Sequence, residues 1–332
     1  MMPENKQEAV TRALQTAFGV TRFDTIEQLT AGLSTALIYK ITVKGRAYLL
    51  RVITSTDAIA DPEHQYVCMG PAAEAGIAPQ VVYYNREDRV IITDFIPAVP
   101  FPLAVAREKM PALLRRLHAL PPFPKRMVYL DAINGFMQRF KTAGLVPAET
   151  IDTVFTAYER ITAAYPRNAE EYVSCHNDVK AENILYDGER VWLVDWEAGF
   201  LNDRYLDLGM IANFIVRDEA DEKHFLEAYF NGPVSEYEYA RFYLFSQMLH
   251  MFYFSFLLLN ASGGKAADAG MPRPGYREFH EGMWHGEISI AGNDARLQYA
   301  WVHYDELQRN LSGPRFEESL RIVAGSNKAM PK

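Results

Sequence analysis

The stretch CHNDVKAENILYDGERVWLVDWEAGFLNDRYLD, residues 175–207, sets polar residues at fixed intervals around two short apolar segments. His176, Asn177 and Asp178 are followed by Asn183 and then by Ile184, Leu185 and Tyr186, which read as a strand closed by the turn dipeptide Asp187-Gly188. The return strand, Val191 to Val194, delivers Asp195 at its end, and Glu197, two residues on, falls on the same side of an extended chain. Two carboxylates and an amide are thereby expected to converge near Asp178. An H-x-D-x-x-x-x-N string alone arises by chance; the hairpin after it, the strand-end Asp195 and the Asn202/Asp207 pair make it informative.

Phosphoryl transfer uses such a set: an aspartate that orients or deprotonates an attacking hydroxyl, and oxygen ligands for the magnesium ion that bridges nucleotide phosphates. The stretch resembles the kinase-like small-molecule phosphotransferases, above all the choline/ethanolamine kinases and aminoglycoside phosphotransferases. There, H-N-D-x-x-x-x-N-I-L precedes a D-x-E element and then an Asn and an Asp. The matching residues are His176, Asn177, Asp178, Asn183, Ile184, Leu185, Asp195, Trp196, Glu197, Asn202 and Asp207. The resemblance implies ATP as donor and Asp178 as the catalytic carboxylate, with Asn183 and Asp195 as Mg2+ ligands and Glu197 as a further candidate. His176 is expected to brace the loop. Asp207, ahead of Leu208, Met210, Ile211 and Phe214, is expected to start a helix.

At 332 residues the chain exceeds the usual size of a single core. The resemblance implies an α+β, protein-kinase-like fold of two lobes. A small antiparallel-sheet lobe over residues 1–97 would bind nucleotide, and a larger, mainly helical lobe over residues 98–332 would carry the catalytic loop and the acceptor site. The segments agree with this division. After an amphipathic first helix, Phe23 to Leu29, Ile38 to Val43 and Ala47 to Ile53 read as a three-strand meander with a turn at Lys44-Gly45. Pro62 to Ala75 reads as a helix ended by Gly76, and Val81 to Tyr84 and Val90 to Phe95 as two more strands. Pro97, Pro100 and Pro102 mark the boundary between lobes. Helices are then expected from Pro111 to Leu120, Leu130 to Thr142 and Glu149 to Ala164, and after the central stretch from Tyr205 to Val216, Ala220 to Phe230, Glu236 to Leu259, Asn293 to Leu311 and Pro314 to Val323. Residues 261–276, rich in Gly and Pro, read as a mobile loop.

On the same resemblance, Gly32, Ser34 and Thr35 lie over the nucleotide phosphates, and Arg51 stands where protein kinases place a strand lysine. A buried cation needs a counter-charge. Glu63 in the following helix is the first candidate and Glu74 the second. Asp94, Phe95 and Ile96 would form the hinge whose backbone meets adenine.

The formal net charge of -8 argues against a nucleic-acid partner and suits a cationic small molecule. The two cysteines, Cys68 and Cys175, lack metal-ligand spacing and suggest a reducing cytoplasm. The N-terminus lacks a signal-peptide pattern. The apolar run Tyr243 to Leu259 is short for a membrane span, which needs about 20 residues, and is interrupted by Ser246, Gln247, His250 and Ser255. It is read as a buried helix.

Lys180 matches a D-x-K pattern of protein kinases and could neutralise charge on the transferring group, but the short interval from Asp195 to Asp207 leaves no room for a peptide-binding activation segment. The expected acceptor is therefore a hydroxyl on a small molecule: choline, ethanolamine or an aminoglycoside-like amino alcohol. Choline kinases carry an acidic residue where Phe214 stands and an Asn where Met210 stands, so choline itself is less secure. Tyr253, Phe254, Trp284 and Trp301 are candidates for an aromatic cage around a quaternary amine. The alternative from another class is a non-catalytic pseudokinase that binds nucleotide as an interaction module. The choice of ATP over GTP and the oligomeric state stay open.

Overall fold

Two-residue alternation builds the N-terminal sheet of the computed structural model, which describes residues 2–29, 36–55, 61–127 and 129–329. Strands β1 (Thr25–Leu29), β2 (Ala36–Val43), β3 (Arg46–Ile53), β4 (Val81–Asn85) and β5 (Val90–Asp94) form one antiparallel sheet in the order β1-β2-β3-β5-β4. Tyr39, Ile41 and Val43 of β2 share a buried face with Leu50 and Val52 of β3 and with Val90 and Ile92 of β5. Helix α1 (Glu4–Phe18) covers that face with Ala9, Val10, Ala13 and Leu14, spaced to share one side of a helix. Burying each of the larger aliphatic side chains contributes ~1.5–3 kcal/mol. The helix ends at Gly19, whose φ of 71° admits the left-handed cap.

The turn between β2 and β3 sets the position of Arg51. Lys44 and Gly45 both have positive φ, 51° and 76°, the geometry of a two-residue turn whose twist matches that of the strands. It pairs Val43 with Arg46 and so places Arg51 opposite Ile38 on one side and Ile91 on the other. Because strand side chains alternate, Arg51 points away from the face that α1 covers.

Contact clustering divides the chain into two units. The first joins Met1–Val105, Arg116–Lys125 and Val173–Leu201. Besides the sheet and α1 it holds α2 (Pro62–Glu74), whose N-terminus is capped by Asp61 Oδ1 accepting from the Glu63 N–H at 3.1 Å. It also holds the hairpin of β7 (Ile184–Tyr186) and β8 (Val191–Leu193), and the short strand β6 (Val173–Cys175). Asp187 shapes the hairpin turn: its Oδ1 accepts from the N–H groups of Glu189 and Arg190, its Oδ2 from the Trp192 indole at 2.8 Å, and Gly188 takes φ of 99°.

The second unit, Ala106–Arg115, Arg126–Tyr172 and Asn202–Lys332, is helical. Its axis is α8 (Glu236–Ala261), started by a reciprocal capping box between Ser235 and Glu238. Around α8 pack α4 (Tyr129–Thr142), α5 (Ala148–Ala164), α6 (Tyr205–Ile215), α10 (Asn293–Leu311) and α11 (Pro314–Ala329). By length and composition α8 could cross a membrane, but 72% of its most apolar window is buried within the protein. Arg241 on α8 is also buried, and its charge is met by Glu171 at 2.5 Å and Asp203 at 3.1 Å. A buried cation is tolerated only with such partners.

One expectation is corrected here, and one helix is added to those expected. Helix α3 (Leu103–His118) starts after Pro102 and runs through Pro111 rather than beginning there. Inside a helix proline removes an amide donor and crowds the preceding turn, a cost that burial of Met110, Leu113, Leu114 and Leu117 offsets here. Within 261–276 the chain is tied at several points: the Ala267 N–H donates to the Leu145 carbonyl at 2.8 Å, and Arg273 makes paired hydrogen bonds to Asp305 at 2.7 and 2.9 Å. That segment leads into α9 (Tyr276–Trp284), which periodicity did not reveal.

Candidate active site

The β7–β8 hairpin and the residues flanking it bring the polar set together within the first unit. Asn183 Nδ2 donates to the Asp178 carbonyl at 2.9 Å and to Asp178 Oδ2 at 2.8 Å, so one amide fixes both the backbone and the side chain of the aspartate. Lys180 Nζ reaches the same Oδ2 at 2.8 Å. Burial works against the Lys180 ammonium, but the fields of Asp178, Glu182 and Asp195 outweigh it and hold its pKa above the ordinary lysine value. Lys180 therefore stays protonated at neutral pH.

Asp195 follows β8 in the left-handed region, at φ of 66°, a conformation uncommon for residues other than glycine but one that aspartate enters more readily than most. The chain then enters a single 3-10 turn, Trp196–Ala198, so Glu197 reaches the site through a turn and not along an extended strand, as the sequence reading supposed. Burial, and after it the adjacent Asp195, pushes the Glu197 carboxyl above the usual carboxylate range, with Arg51 opposing them.

Arg51 Nη2 lies 2.8 Å from Asp195 Oδ1 and 3.6 Å from Glu197 Oε2. Glu63, the expected partner, pairs instead with Arg86, and Glu74 is exposed. The reason lies in α2, whose buried residues are Pro62, Gln65, Cys68, Met69, Ala72 and Ala73. None is acidic, so the counter-charge comes from the 195–197 turn.

Residues other than the catalytic and metal candidates hold the two loops in register, His176 among them as expected. His176 is fully buried, its Nε2 is 2.9 Å from the Val194 carbonyl, and its ring meets the Trp196 ring edge-on at 4.7 Å. Asn177, at φ of 63°, donates through Nδ2 to the Ala198 and Phe200 carbonyls at 2.9 and 3.2 Å. The Val194 N–H donates to the Asn183 carbonyl at 3.0 Å. Cys68 on α2 donates through its thiol to the Gly199 carbonyl at 3.3 Å. Asn177 was legible as part of a motif, though its clamping role was not; Cys68 carried no sequence signal.

Asp94 ends β5, where its carboxylate meets Arg46 at 2.8 Å and its N–H donates to the Gln80 carbonyl at 2.9 Å. The Ile96 carbonyl accepts from the Ala98 N–H at 2.9 Å. Gly32, Ser34 and Thr35 lie outside the described residues. In the second unit the aromatic candidates separate. Phe254 and Trp301 are buried against each other at 5.2 Å, while Tyr253 stacks on His303 and Trp284 lies against Phe214. Phe254 and Trp301 are core residues, as aromatics at helical spacing usually are.

A search of the curated proteins finds no match for this chain. Among solved structures it is similar to a choline/ethanolamine kinase family protein from Mesorhizobium loti, with a TM-score of 0.69 and 21% identity over 96% of this chain and 99% of that one. It is also similar to the choline kinase LicA from Streptococcus pneumoniae, with a TM-score of 0.58 and 15% identity over 90% and 99% of the two chains. A spectinomycin phosphotransferase, APH(9)-Ia, solved with ADP and spectinomycin, gives 0.56 and 13% over 97% and 98%. At these identities the likeness establishes the fold, α+β and kinase-like, with an antiparallel N-terminal sheet and a larger helical part. The sequence profile of the phosphotransferase enzyme family (APH) matches residues 25–244, more than half of the chain. The chain belongs to that family.

Proposed function

We propose that this protein is an ATP- and Mg2+-dependent kinase that transfers the γ-phosphoryl group to a hydroxyl of a small amino alcohol, in the class that includes choline, ethanolamine and the aminoglycosides. The observation that carries this reading is the fixed Asp178: its carboxylate is held by Asn183 and Lys180 at 2.8 Å each, on a loop that β7 and β8 anchor. A carboxylate so oriented can receive the proton of an incoming hydroxyl, and Lys180 can offset charge on the transferring group.

The donor set fits a magnesium ion. Asp195, Asn183 and Glu197 offer hard oxygen atoms, which Mg2+ prefers. Asp195 Oδ1 is buried and, among the described residues, accepts no hydrogen bond; the Arg51 guanidinium offsets its charge. The Asn183 amide donates through Nδ2, so its oxygen is turned away from Asp178. Asp195 and Asn183 would hold the metal, with Glu197 as a further ligand, and the metal would neutralise the nucleotide phosphates. Arg51, Gly32, Ser34 and Thr35 are assigned to the phosphates and the Asp94–Ile96 backbone to adenine, with residues 1–97 as the nucleotide lobe and 98–332 as the lobe carrying the catalytic loop and acceptor site. Glu63 drops out of this set as the partner of Arg51.

The solved structures of LicA with AMP and of APH(9)-Ia with ADP and spectinomycin support a nucleotide and a small-molecule acceptor. Both cysteines are buried thiols, in keeping with a reducing cytoplasm. The test is a panel of amino alcohols and amino sugars with Mg-ATP, followed by ADP release. Transfer to one of them supports the reading. Nucleotide binding without transfer to any alcohol or peptide supports the pseudokinase alternative.

A further inference from the structure

Arg51 occupies the two carboxylates that the metal reading needs. Its Nη2 stands 2.8 Å from Asp195 and 3.6 Å from Glu197, and the three side chains are 11%, 23% and 24% exposed. Charges this far from water are weakly screened, so the guanidinium competes directly with any other cation for these oxygens. The trio carries a net charge of -1, from one cation and two carboxylates; without Arg51 it would carry -2. No buried acidic residue of α2 draws the arginine away.

We propose that Arg51 makes the site selective for a metal–nucleotide complex over a bare divalent ion. This rests on the phosphotransferase reading. A bare ion meets carboxylates that the guanidinium already partly neutralises, and to bind them it must break the 2.8 Å contact between Arg51 and Asp195. An arriving polyphosphate gives Arg51 an alternative set of oxygens. The arginine then turns from the carboxylates to the phosphates, and Asp195 and Glu197 become available to the metal that accompanies them. Metal and nucleotide binding are therefore coupled through one side chain, and the coupling is reciprocal.

Arg51→Gln should consequently change two affinities in opposite directions. Mn2+ is the probe of the metal site, titrated without nucleotide and followed by its paramagnetic resonance signal; Mg-ADP binding is followed by calorimetry. Arg51→Gln should bind Mn2+ about tenfold more tightly than wild type, or ~1.4 kcal/mol, and Mg-ADP about tenfold more weakly. Arg51→Lys, which keeps the charge, should stay near wild type for Mn2+. Asp195→Asn in the Arg51→Gln background should abolish the gained Mn2+ binding. Thermal melting checks folding, and Arg51→Met replaces the Gln variant if that does not fold. Unchanged or weaker Mn2+ binding, or gained binding that survives Asp195→Asn, overturns the role of Arg51. Wild-type protein that binds no Mg-nucleotide overturns the phosphotransferase reading instead, whatever the Mn2+ titrations show.

Discussion

Asn183 grips Asp178 twice, at the backbone carbonyl and at Oδ2. The spacing of five residues between them is what allows this: the chain leaves Asp178, makes one 3-10 turn at Ala181–Asn183, and returns the amide to the aspartate before β7 begins. Asp178 is thus positioned by its own loop, without needing the acceptor to order it.

Asp178→Asn keeps the size and polarity of the side chain and removes its charge and basicity. Single-turnover phosphoryl transfer to an acceptor found in the panel should fall ~10²–10⁴-fold, the usual contribution of a general base. Mg-ATP affinity should change little, because Asp195 and Asn183 remain. Transfer at the wild-type rate would reduce Asp178 to a structural loop residue.

The partner of Arg51 can be read from double-mutant cycles on unfolding free energy. Arg51→Ala with Asp195→Ala should show a coupling of ~0.5–3 kcal/mol, as residues in one ion-pair network do. Arg51→Ala with Glu63→Ala should be additive within ~0.5 kcal/mol, since Glu63 belongs to Arg86. Coupling to Glu63 and none to Asp195 would reverse the assignment made from the geometry.

Gly199 has little room for a side chain. A Cβ there would lie 3.0 Å from Cys68 Cβ, 3.2 Å from its Sγ and 3.3 Å from the Trp196 carbonyl oxygen. Gly199→Ala should cost ~1–3 kcal/mol in denaturant unfolding, as overpacking does. Cys68→Ala should not relieve the cost, because the nearest atom is the Cβ that alanine retains, whereas Cys68→Gly should cost less in the Gly199→Ala protein than in wild type. Equal cost in both backgrounds would show that α2 and the 195–199 turn do not bear on each other there.

The second unit buries three neutral histidines. His250 and His303 face each other with Nδ1 atoms 2.8 Å apart, and His280 uses both ring nitrogens, on the Tyr276 carbonyl and the Tyr299 hydroxyl. Burial lowers His250 and His280 from 6.5 to about 3 and also depresses His303. The unfolded chain takes up these protons near its ordinary pKa while the folded chain refuses them, so stability is unaffected above that value and is lost as pH falls from about 6.5 toward 3. The loss should approach ~1.4 kcal/mol per pH unit for each histidine. His280→Gln should reduce the slope of unfolding free energy between pH 6 and 4; an unchanged slope would show that His280 is protonated in the native state.

Much of this was legible in the sequence because local chemistry dictated it. Lys44-Gly45 and Asp187-Gly188 fix two hairpins through the backbone angles they allow, and the alternation around Arg51 fixes its face. What escaped depends on distant segments. Arg51 lies some 140 residues from Asp195, and no periodicity reports which of several carboxylates a folded chain brings to a cation. The 3-10 turn at Trp196–Ala198 hides because a single turn is too short for a repeat. Helix α9 escaped because Gly and Pro just before it suggested only a loop.

The first unit is assembled from three separate runs of chain, and this bears on its synthesis. The sheet is complete once residue 94 has been made, but the β7–β8 hairpin and the carboxylates that neutralise Arg51 arrive only with residues 173–201. At about 5–20 residues per second, a ribosome leaves the nascent sheet without them for roughly 5–20 s. During that interval Arg51 lacks the contacts to Asp195 and Glu197 that it makes in the finished unit. The first unit therefore closes only after residues 106–115 and 126–172 of the second have been made, and a fragment ending before residue 173 should lack the carboxylates that meet Arg51.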